Sequence, residues 1–207
     1  MKSTNYLVSI ELPTSVAERI RKARKIMGQE STDLYRGQNN AHITLFINSY
    51  DPANLPQLEA QLRRAVQSHR SSIATIKGMH IFDDPIARAS TFVYEIESTD
   101  ALRNLQKDVV AALNPLRTKA QEEWLMKQNP DYTPEQQTSL REYGYPFGPE
   151  NWRFHSTIGS VPTKDASKLK EAMKELDKKE SWQVDRLNLH EDQGIGNYML
   201  VRDYSLS

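Results

Sequence analysis

The arrangement of hydrophobic and polar residues along the chain predicts an alternation of strands and helices. Segments in which apolar and polar residues alternate, or which are rich in β-branched and aromatic residues, are typical of strands. Strands are predicted on this basis over 6–10, 42–47, 72–82, 90–96, 154–160, 182–190 and 198–204, the last two forming a hairpin around 194–197. Helical spacing of apolar residues predicts helices over 15–26, 55–66, 102–113 and 165–176.

Two polar stretches interrupt this alternation. Residues 29–40 predict a loop. Residues 115–152 are dominated by Gln, Glu, Lys, Pro and Tyr, and a long segment of this kind is either functional or a solvated connection. We interpret 115–152 as an insertion or a lid, with a solvated connection between two lobes as the alternative. A short helix is predicted to begin after Thr133 and Pro134, because proline is tolerated in the first helical turn.

The order of these elements predicts one α+β domain over residues 1–207. A strand that begins near a histidine and is followed by a helix occurs once in each half of the chain. This repetition indicates two similar lobes rather than a tandem array of short repeats.

Composition narrows the class of protein. Of the 207 residues, 27 are Lys or Arg and 27 are Asp or Glu, so the formal net charge is zero. A surface that binds long nucleic acid needs an excess of Lys and Arg, whereas a nucleotide or an RNA end held in a local pocket does not. The absence of cysteine excludes disulfides, thiolate zinc sites and a cysteine nucleophile. The sequence contains no run of 18 apolar residues and no signal-peptide pattern, so we expect a soluble, cytoplasmic protein without a membrane partner.

One motif, His-x-Thr-aliphatic, occurs twice, beginning at His42 and at His155. Each copy lies in a predicted strand. Because side chains two positions apart in a strand point to the same face, His42 shares a face with Thr44 and His155 shares a face with Thr157. If the two strands lie side by side, two imidazoles and two hydroxyls converge on one cleft.

This set of side chains suits hydrolysis of a phosphodiester without a metal. The reaction needs a base to deprotonate the attacking water and an acid to protonate the leaving oxygen. Histidine can fill either role at neutral pH, because its unperturbed pKa is about 6.5. The threonine hydroxyls can donate hydrogen bonds to non-bridging phosphate oxygens and so stabilise the transition state.

The two motifs resemble those of the 2H phosphoesterase superfamily, which includes the 2′-5′ RNA ligase and 2′,3′-cyclic phosphodiesterase branch. Residues 6–25 resemble the first strand and helix of the family, and residues 198–206 resemble its last strand. The chain departs from many members in having Ala41 and Phe154, where those members have proline, before the motif histidines. The segment 115–152 matches nothing typical of a ligase-like member.

The resemblance implies two lobes around a central cleft, each an antiparallel sheet with helices on the outside. It implies that His42 and His155 are the acid/base pair, that Thr44 and Thr157 bind the phosphate, and that no metal or other cofactor is required. The activity expected from it is hydrolysis of a cyclic or 2′-5′ phosphodiester in a nucleotide or an RNA end. Which histidine is the base stays open.

Several substrates fit this expectation. They are RNA with a 2′,3′-cyclic phosphate, 2′-5′-linked or cyclic oligonucleotides, and ADP-ribose cyclic phosphate. Zero net charge favours a small nucleotide or an RNA terminus over duplex nucleic acid. A non-catalytic module that binds a nucleotide or an RNA end is the alternative function, although binding alone would not need two titratable groups. A protein–protein adaptor that uses the middle segment is a third interpretation, and a monomer is the expected state.

Other residues are weaker candidates. Phe46 lies on the His42 face if the strand continues regularly, where it would stack on a base or ribose or close the core. Arg153 lies on the His155 face, where it would bind a phosphate or remain a surface charge. His80 and His190 lie near strand ends and could reach the cleft, whereas His69 is expected to be exposed. A metal site built on the motif histidines is a further alternative, but no carboxylate lies near either motif in the sequence.

Overall fold

The computed structural model describes residues 3–28, 41–84, 89–194 and 197–207, so the loop predicted over 29–40 lies outside the described residues. The strands in these ranges are β1 (Thr4–Glu11), β2 (His42–Tyr50), β3 (Ser72–Asp84), β4 (Ala89–Ile96), β5 (His155–Pro162), β6 (Glu180–Val184), β7 (Arg186–Asp192) and β8 (Tyr198–Ser205). The α-helices are α1 (Thr14–Ile26), α2 (Leu55–Val66), α3 (Asp100–Leu113), α4 (Ala120–Gln128), α5 (Pro134–Tyr143) and α6 (Thr163–Ala172). Within the described ranges, none of these helices is long and apolar enough to cross a membrane.

The strands form two four-stranded sheets, both of them antiparallel. The first has the order β2-β1-β7-β8 and the second has the order β5-β4-β3-β6. Every pairing between neighbouring strands is antiparallel. The predicted α+β fold with two similar lobes, each built on an antiparallel sheet, is therefore confirmed.

The two motif strands contact each other, although they belong to different sheets. Strand β2 is an edge of the first sheet and β5 is an edge of the second. The helix that follows β1 in sequence, α1, packs against β5, and the helix that follows β4, α3, packs against β2. Each lobe therefore supports the motif strand of the other lobe.

Both motif strands contain a β-bulge immediately after the motif threonine. In the first sheet Ser9 faces Thr44 and the next pair joins Val8 to Phe46, so that Leu45 has no partner on β1. The second sheet has the same irregularity between β4 and β5, where Ile158 is the extra residue. A bulge inserts one residue into one strand and re-aims the side chains that follow it.

The bulge in β2 overturns the alternation expected beyond Thr44. Without it Phe46 would share the face of His42, but the extra residue turns Phe46 to the opposite face, where it is 2% exposed in the core. Ile47 and Ser49 take the face that Phe46 was expected to occupy. The core interpretation of Phe46 is the one that the structure supports.

Two further elements differ from the sequence prediction. The single strand predicted over 182–190 is two strands in different sheets, β6 and β7, which are separated at Asp185. The middle segment contains α4, which was not predicted because its sequence AQEEWLMKQ has no clear apolar face. The helix predicted after Thr133 is α5, and the Thr133 hydroxyl accepts a hydrogen bond from the Gln136 backbone in a capping box.

Candidate functional site

A cavity of about 1480 Å³ is lined by residues of both sheets and of the middle segment. The side chains of both motifs line it, namely His42, Thr44, His155 and Thr157. The convergence predicted from the sequence therefore occurs, and the two motif strands that produce it belong to different sheets. Two edge strands with matching bulges bring it about.

Hydrogen bonding fixes the tautomer of His155. Its Nδ1 lies 2.7 Å from the backbone oxygen of Arg153, and a carbonyl can only accept, so Nδ1 carries the proton. In the neutral ring Nε2 then holds a free electron pair. Burial lowers the pKa of His155 below its ordinary value, and the Arg153 guanidinium lowers it further, against the opposing effect of the carbonyl hydrogen bond.

Each motif histidine packs edge to face against an aromatic ring from another strand. The His42 ring lies 5.9 Å from the ring of Tyr198, at the start of β8. The His155 ring lies 5.2 Å from the ring of Phe82, near the end of β3. These contacts restrict the rotation of both imidazoles, and such preorganisation of reacting groups favours catalysis.

Side chains from α1 and α3, the helices that pack against the motif strands, hold the two bulges in place. In β2 the backbone oxygen of Leu45 accepts a hydrogen bond of 3.3 Å from Nε2 of Gln106, which lies on α3 and is 1% exposed. In β5 the backbone oxygen of Ile158 accepts a hydrogen bond of 2.8 Å from Nε of Arg24, which lies on α1. Both bulged residues are thus bound through their carbonyl groups by the helix of the other lobe, which satisfies backbone groups that an edge strand leaves unpaired.

The middle segment covers the free edge of β2 and forms one wall of the cavity. Its first residues bind the strand through Thr118, whose backbone N–H donates to the Ser49 oxygen at 2.8 Å, and through Gln121, whose Nε2 donates to the Ile47 oxygen at 3.2 Å. At its end Nε1 of Trp152 donates to the Thr44 oxygen at 3.1 Å. The residues of the wall that face the cavity are Ala120, Gln121, Trp124, Leu125, Tyr145, Phe147, Asn151 and Trp152. A lid function for this segment stays a prediction.

The structure shows which of the weaker candidates line the cavity and which do not. Arg153 and His80 line the cavity, and the guanidinium of Arg153 lies 4.5 Å from the centre of the Phe82 ring. Phe46 and His190 do not line the cavity, and burial lowers the pKa of His190. His69 is not freely exposed as expected, because its Nε2 lies 2.8 Å from an Asp108 carboxylate oxygen.

Sequence reasoning missed several lining residues. Phe82 could have been found, because it lies two positions after His80 in a predicted strand and so shares its face. Nothing in the sequence signalled Trp124, since α4 was not predicted, or Tyr198, since its position depends on how β8 enters the sheet. Carboxylates of Asp83, Glu191 and Asp192 also line the cavity. In the described part of the chain, no group of three or more His, Asp or Glu side chains has the arrangement of a metal site.

The sequence matches the model of the 2′-5′ RNA ligase superfamily over residues 12–196. The chain therefore belongs to this superfamily of 2H phosphoesterases, and the resemblance drawn from the two motifs is confirmed. Membership supports phosphodiesterase-type activity in general. No curated protein sequence matches the chain at a significant level.

Solved structures share the fold over nearly the whole chain. TT0787 of Thermus thermophilus is 16% identical, with a TM-score of 0.58, and the match covers 98% of this chain and 97% of that one. LigT of E. coli was solved in complex with 3′-AMP, and that structure is 12% identical, with a TM-score of 0.56 and coverage of 100% and 99%. LigT in complex with phosphate gives 12% identity, a TM-score of 0.55 and the same coverage. At these identities the likeness shows the fold alone.

Proposed function

We propose that the chain is a phosphodiesterase that hydrolyses a cyclic or 2′-5′ phosphodiester in a nucleotide or an RNA end. The observation that carries this proposal is the convergence of two His-x-Thr motifs, each ending in the same bulge, on one cavity. The two imidazoles supply an acid and a base, and the two hydroxyls supply donors for the phosphate oxygens. The complexes of LigT with phosphate and with 3′-AMP support a phosphorylated nucleotide as the kind of ligand.

We infer the roles of the two histidines from their surroundings. We assign His155 as the base, because its Nδ1 is bound to the Arg153 carbonyl and its lowered pKa keeps Nε2 unprotonated. Nε2 takes a proton from water as the water oxygen forms a bond to phosphorus. The bond from phosphorus to the leaving oxygen breaks, and protonated His42 gives that oxygen a proton. Thr44 and Thr157 donate hydrogen bonds to the non-bridging oxygens, where negative charge accumulates.

The proposal is tested by measuring hydrolysis of a substrate panel in excess EDTA. The panel contains 2′,3′-cyclic nucleotides, 2′-5′-linked dinucleotides, a cyclic oligonucleotide and ADP-ribose cyclic phosphate. We expect turnover that survives EDTA and is lost in the double variant His42→Ala/His155→Ala. The matched control is His69→Ala, which removes a histidine that pairs with Asp108 outside the cavity. Turnover abolished by EDTA would contradict the proposed mechanism, and binding without turnover of any panel member would favour the non-catalytic module.

The assignment of His155 as the base predicts the acid side of the pH profile. The base works only when neutral, so kcat/KM falls as the pH decreases through the pKa of His155 in the free enzyme. Because burial and Arg153 lower that pKa, we expect the acid limb below pH 6.5, the ordinary value for histidine. Arg153→Ala removes a positive charge beside the ring and should move the limb to higher pH.

The control for this measurement is Arg21→Ala, which removes an exposed arginine outside the cavity and should leave the limb in place. An acid limb above pH 6.5 in the unmodified chain, or a limb that does not move in Arg153→Ala, would contradict the assignment.

A further inference from the structure

Two large aromatic side chains are exposed on the wall that the middle segment forms. Trp124, on α4, is 59% exposed, and Phe147, after α5, is 47% exposed. Both line the cavity that contains the two motifs. Single exposed apolar residues are common, but two aromatic residues from different parts of a segment that face one cavity form a surface suited to a flat ligand.

The Phe147 ring is supported by further rings that lead to the motif strand. It lies 6.1 Å from the ring of Tyr145, which lies 5.3 Å from the ring of Trp152. The indole of Trp152 donates its hydrogen bond to the Thr44 oxygen. The row of rings therefore connects the exposed face of Phe147 to the backbone of the first motif, so a ring stacked there has a fixed position relative to Thr44.

Electrostatics favours the same wall for a chain of phosphates. The carboxylates among the described lining residues belong to β3 and β7, at Asp83, Glu191 and Asp192, and not to the middle segment. A polyanion that leaves the motifs along β3 or β7 would approach these charges, whereas the aromatic wall presents no charge of the same sign to it. The path along Trp124 and Phe147 therefore avoids these carboxylates.

The size of the cavity exceeds what one nucleotide needs. Sites for small molecules have volumes of about 300–1,000 Å³. The cavity of about 1480 Å³ is larger than this range and extends from the motifs to α4. A ligand that fills it reaches past the reacting phosphate.

We propose that Trp124 and Phe147 stack on the base of a nucleotide next to the one that carries the reacting phosphodiester. The substrate class is then a single-stranded oligonucleotide end rather than a mononucleotide. Aromatic stacking recognises every base through its flat face, so this contact selects length and single-strandedness more than sequence. The inference rests on the proposed function for the location of the phosphate.

The test compares the affinities of two probes by calorimetry. One is an RNA trinucleotide with a terminal phosphate, and the other is the corresponding mononucleoside phosphate, each as the 2′ and the 3′ isomer. We expect the unmodified chain to bind the trinucleotide more tightly. The ratio of the two affinities should fall by about 5- to 150-fold in Trp124→Leu and in Phe147→Leu, which is the range for one stacked base.

Two further variants separate stacking from general hydrophobicity. Trp124→Phe keeps a ring and should retain most of the ratio. Ile73→Ala removes an apolar side chain that is 54% exposed and does not line the cavity, and should leave the ratio unchanged. A ratio that persists in both leucine variants would overturn the inference, and so would equal binding of the two probes by the unmodified chain.

The outcomes also distinguish this inference from the proposed function. Ring-dependent binding of the trinucleotide without turnover of any phosphodiester would support the aromatic wall and contradict the enzyme. Turnover of cyclic mononucleotides, together with an affinity ratio that does not depend on the two rings, would support the phosphodiesterase activity and overturn the proposal of base stacking. Failure to bind either probe would overturn the inference. It would favour a protein, rather than a nucleic acid, as the partner of the aromatic rings.

Discussion

Replacing His42 or His155 with alanine should lower kcat on the best substrate of the panel by about 10²- to 10⁴-fold, the usual contribution of one general acid or base. The side chains line one cavity, and each is oriented by an aromatic neighbour, so neither can substitute for the other without moving. Because the two histidines act on one transition state, the double variant should lose much less than the product of the two single effects.

The choice of leaving group separates the two roles. A 4-nitrophenyl ester of a nucleoside phosphate releases a stable phenolate, which leaves without receiving a proton. On this substrate His42→Ala should regain most of its lost rate, because the acid is no longer needed. His155→Ala should stay impaired, because attack by water still needs the base.

The reverse pattern would exchange the roles of the two histidines. A rate that recovers in neither variant, or in both, would contradict the acid/base mechanism. His69→Ala serves again as the control and should behave as the unmodified chain on both substrates, since His69 does not line the cavity.

Gly144→Ala should give the largest loss of stability among the substitutions considered. Gly144 ends α5 with φ of 69°, in the left-handed region, where a residue with a Cβ costs about 1–2 kcal/mol. A Cβ there would lie 2.5 Å from Nδ2 of Asn48, which is fully buried and donates to the Tyr143 oxygen at 2.7 Å. Displacing Asn48 breaks this buried hydrogen bond, which adds a cost of about 1–3 kcal/mol.

Chemical denaturation measures the effect, and Gly28→Ala is a matched control. Gly28 follows α1 with φ of 68°, and a Cβ there would meet nothing within 4 Å among the residues that the structure describes. Gly28→Ala should therefore show the backbone cost alone. In an Asn48→Ala background Gly144→Ala should show the same smaller cost, because the side chain that it would strike is gone. Equal losses for the two glycine variants in the unmodified background would contradict the role of Asn48.

The same contact connects stability to the site. Asn48 lies on β2, six residues after His42, and its bond to Tyr143 joins that strand to the end of α5. We expect Gly144→Ala to weaken the attachment of the middle segment and to reduce turnover in the molecules that remain folded. The aromatic wall and the motif strand depend on each other through such bonds.

Much of the fold could be predicted because local patterns and tertiary packing agree. The strand at 90–96 and the helix over 102–113 bury the faces that their apolar spacing indicates. The predictions failed where the apolar residues have neither helical nor strand spacing. Helix α4 has no clear apolar face, and it is attached to β2 by single hydrogen bonds such as the one from Gln121 to the Ile47 oxygen. The strand predicted over 182–190 failed at Asp185, where the chain passes from one sheet to the other.

The candidate site shows the same difference between what local sequence patterns predict and what tertiary packing decides. The sequence by itself determined which side chains could do the chemistry, because a spacing of two in a strand puts His42 beside Thr44 and His155 beside Thr157. Only the tertiary structure decided what surrounds them. The bulges after Thr44 and Thr157 depend on the neighbouring strands and on hydrogen bonds from Gln106 and Arg24, which are distant in sequence. An inserted residue reverses every later side chain in a strand, and no local pattern records a partner that long-range packing supplies.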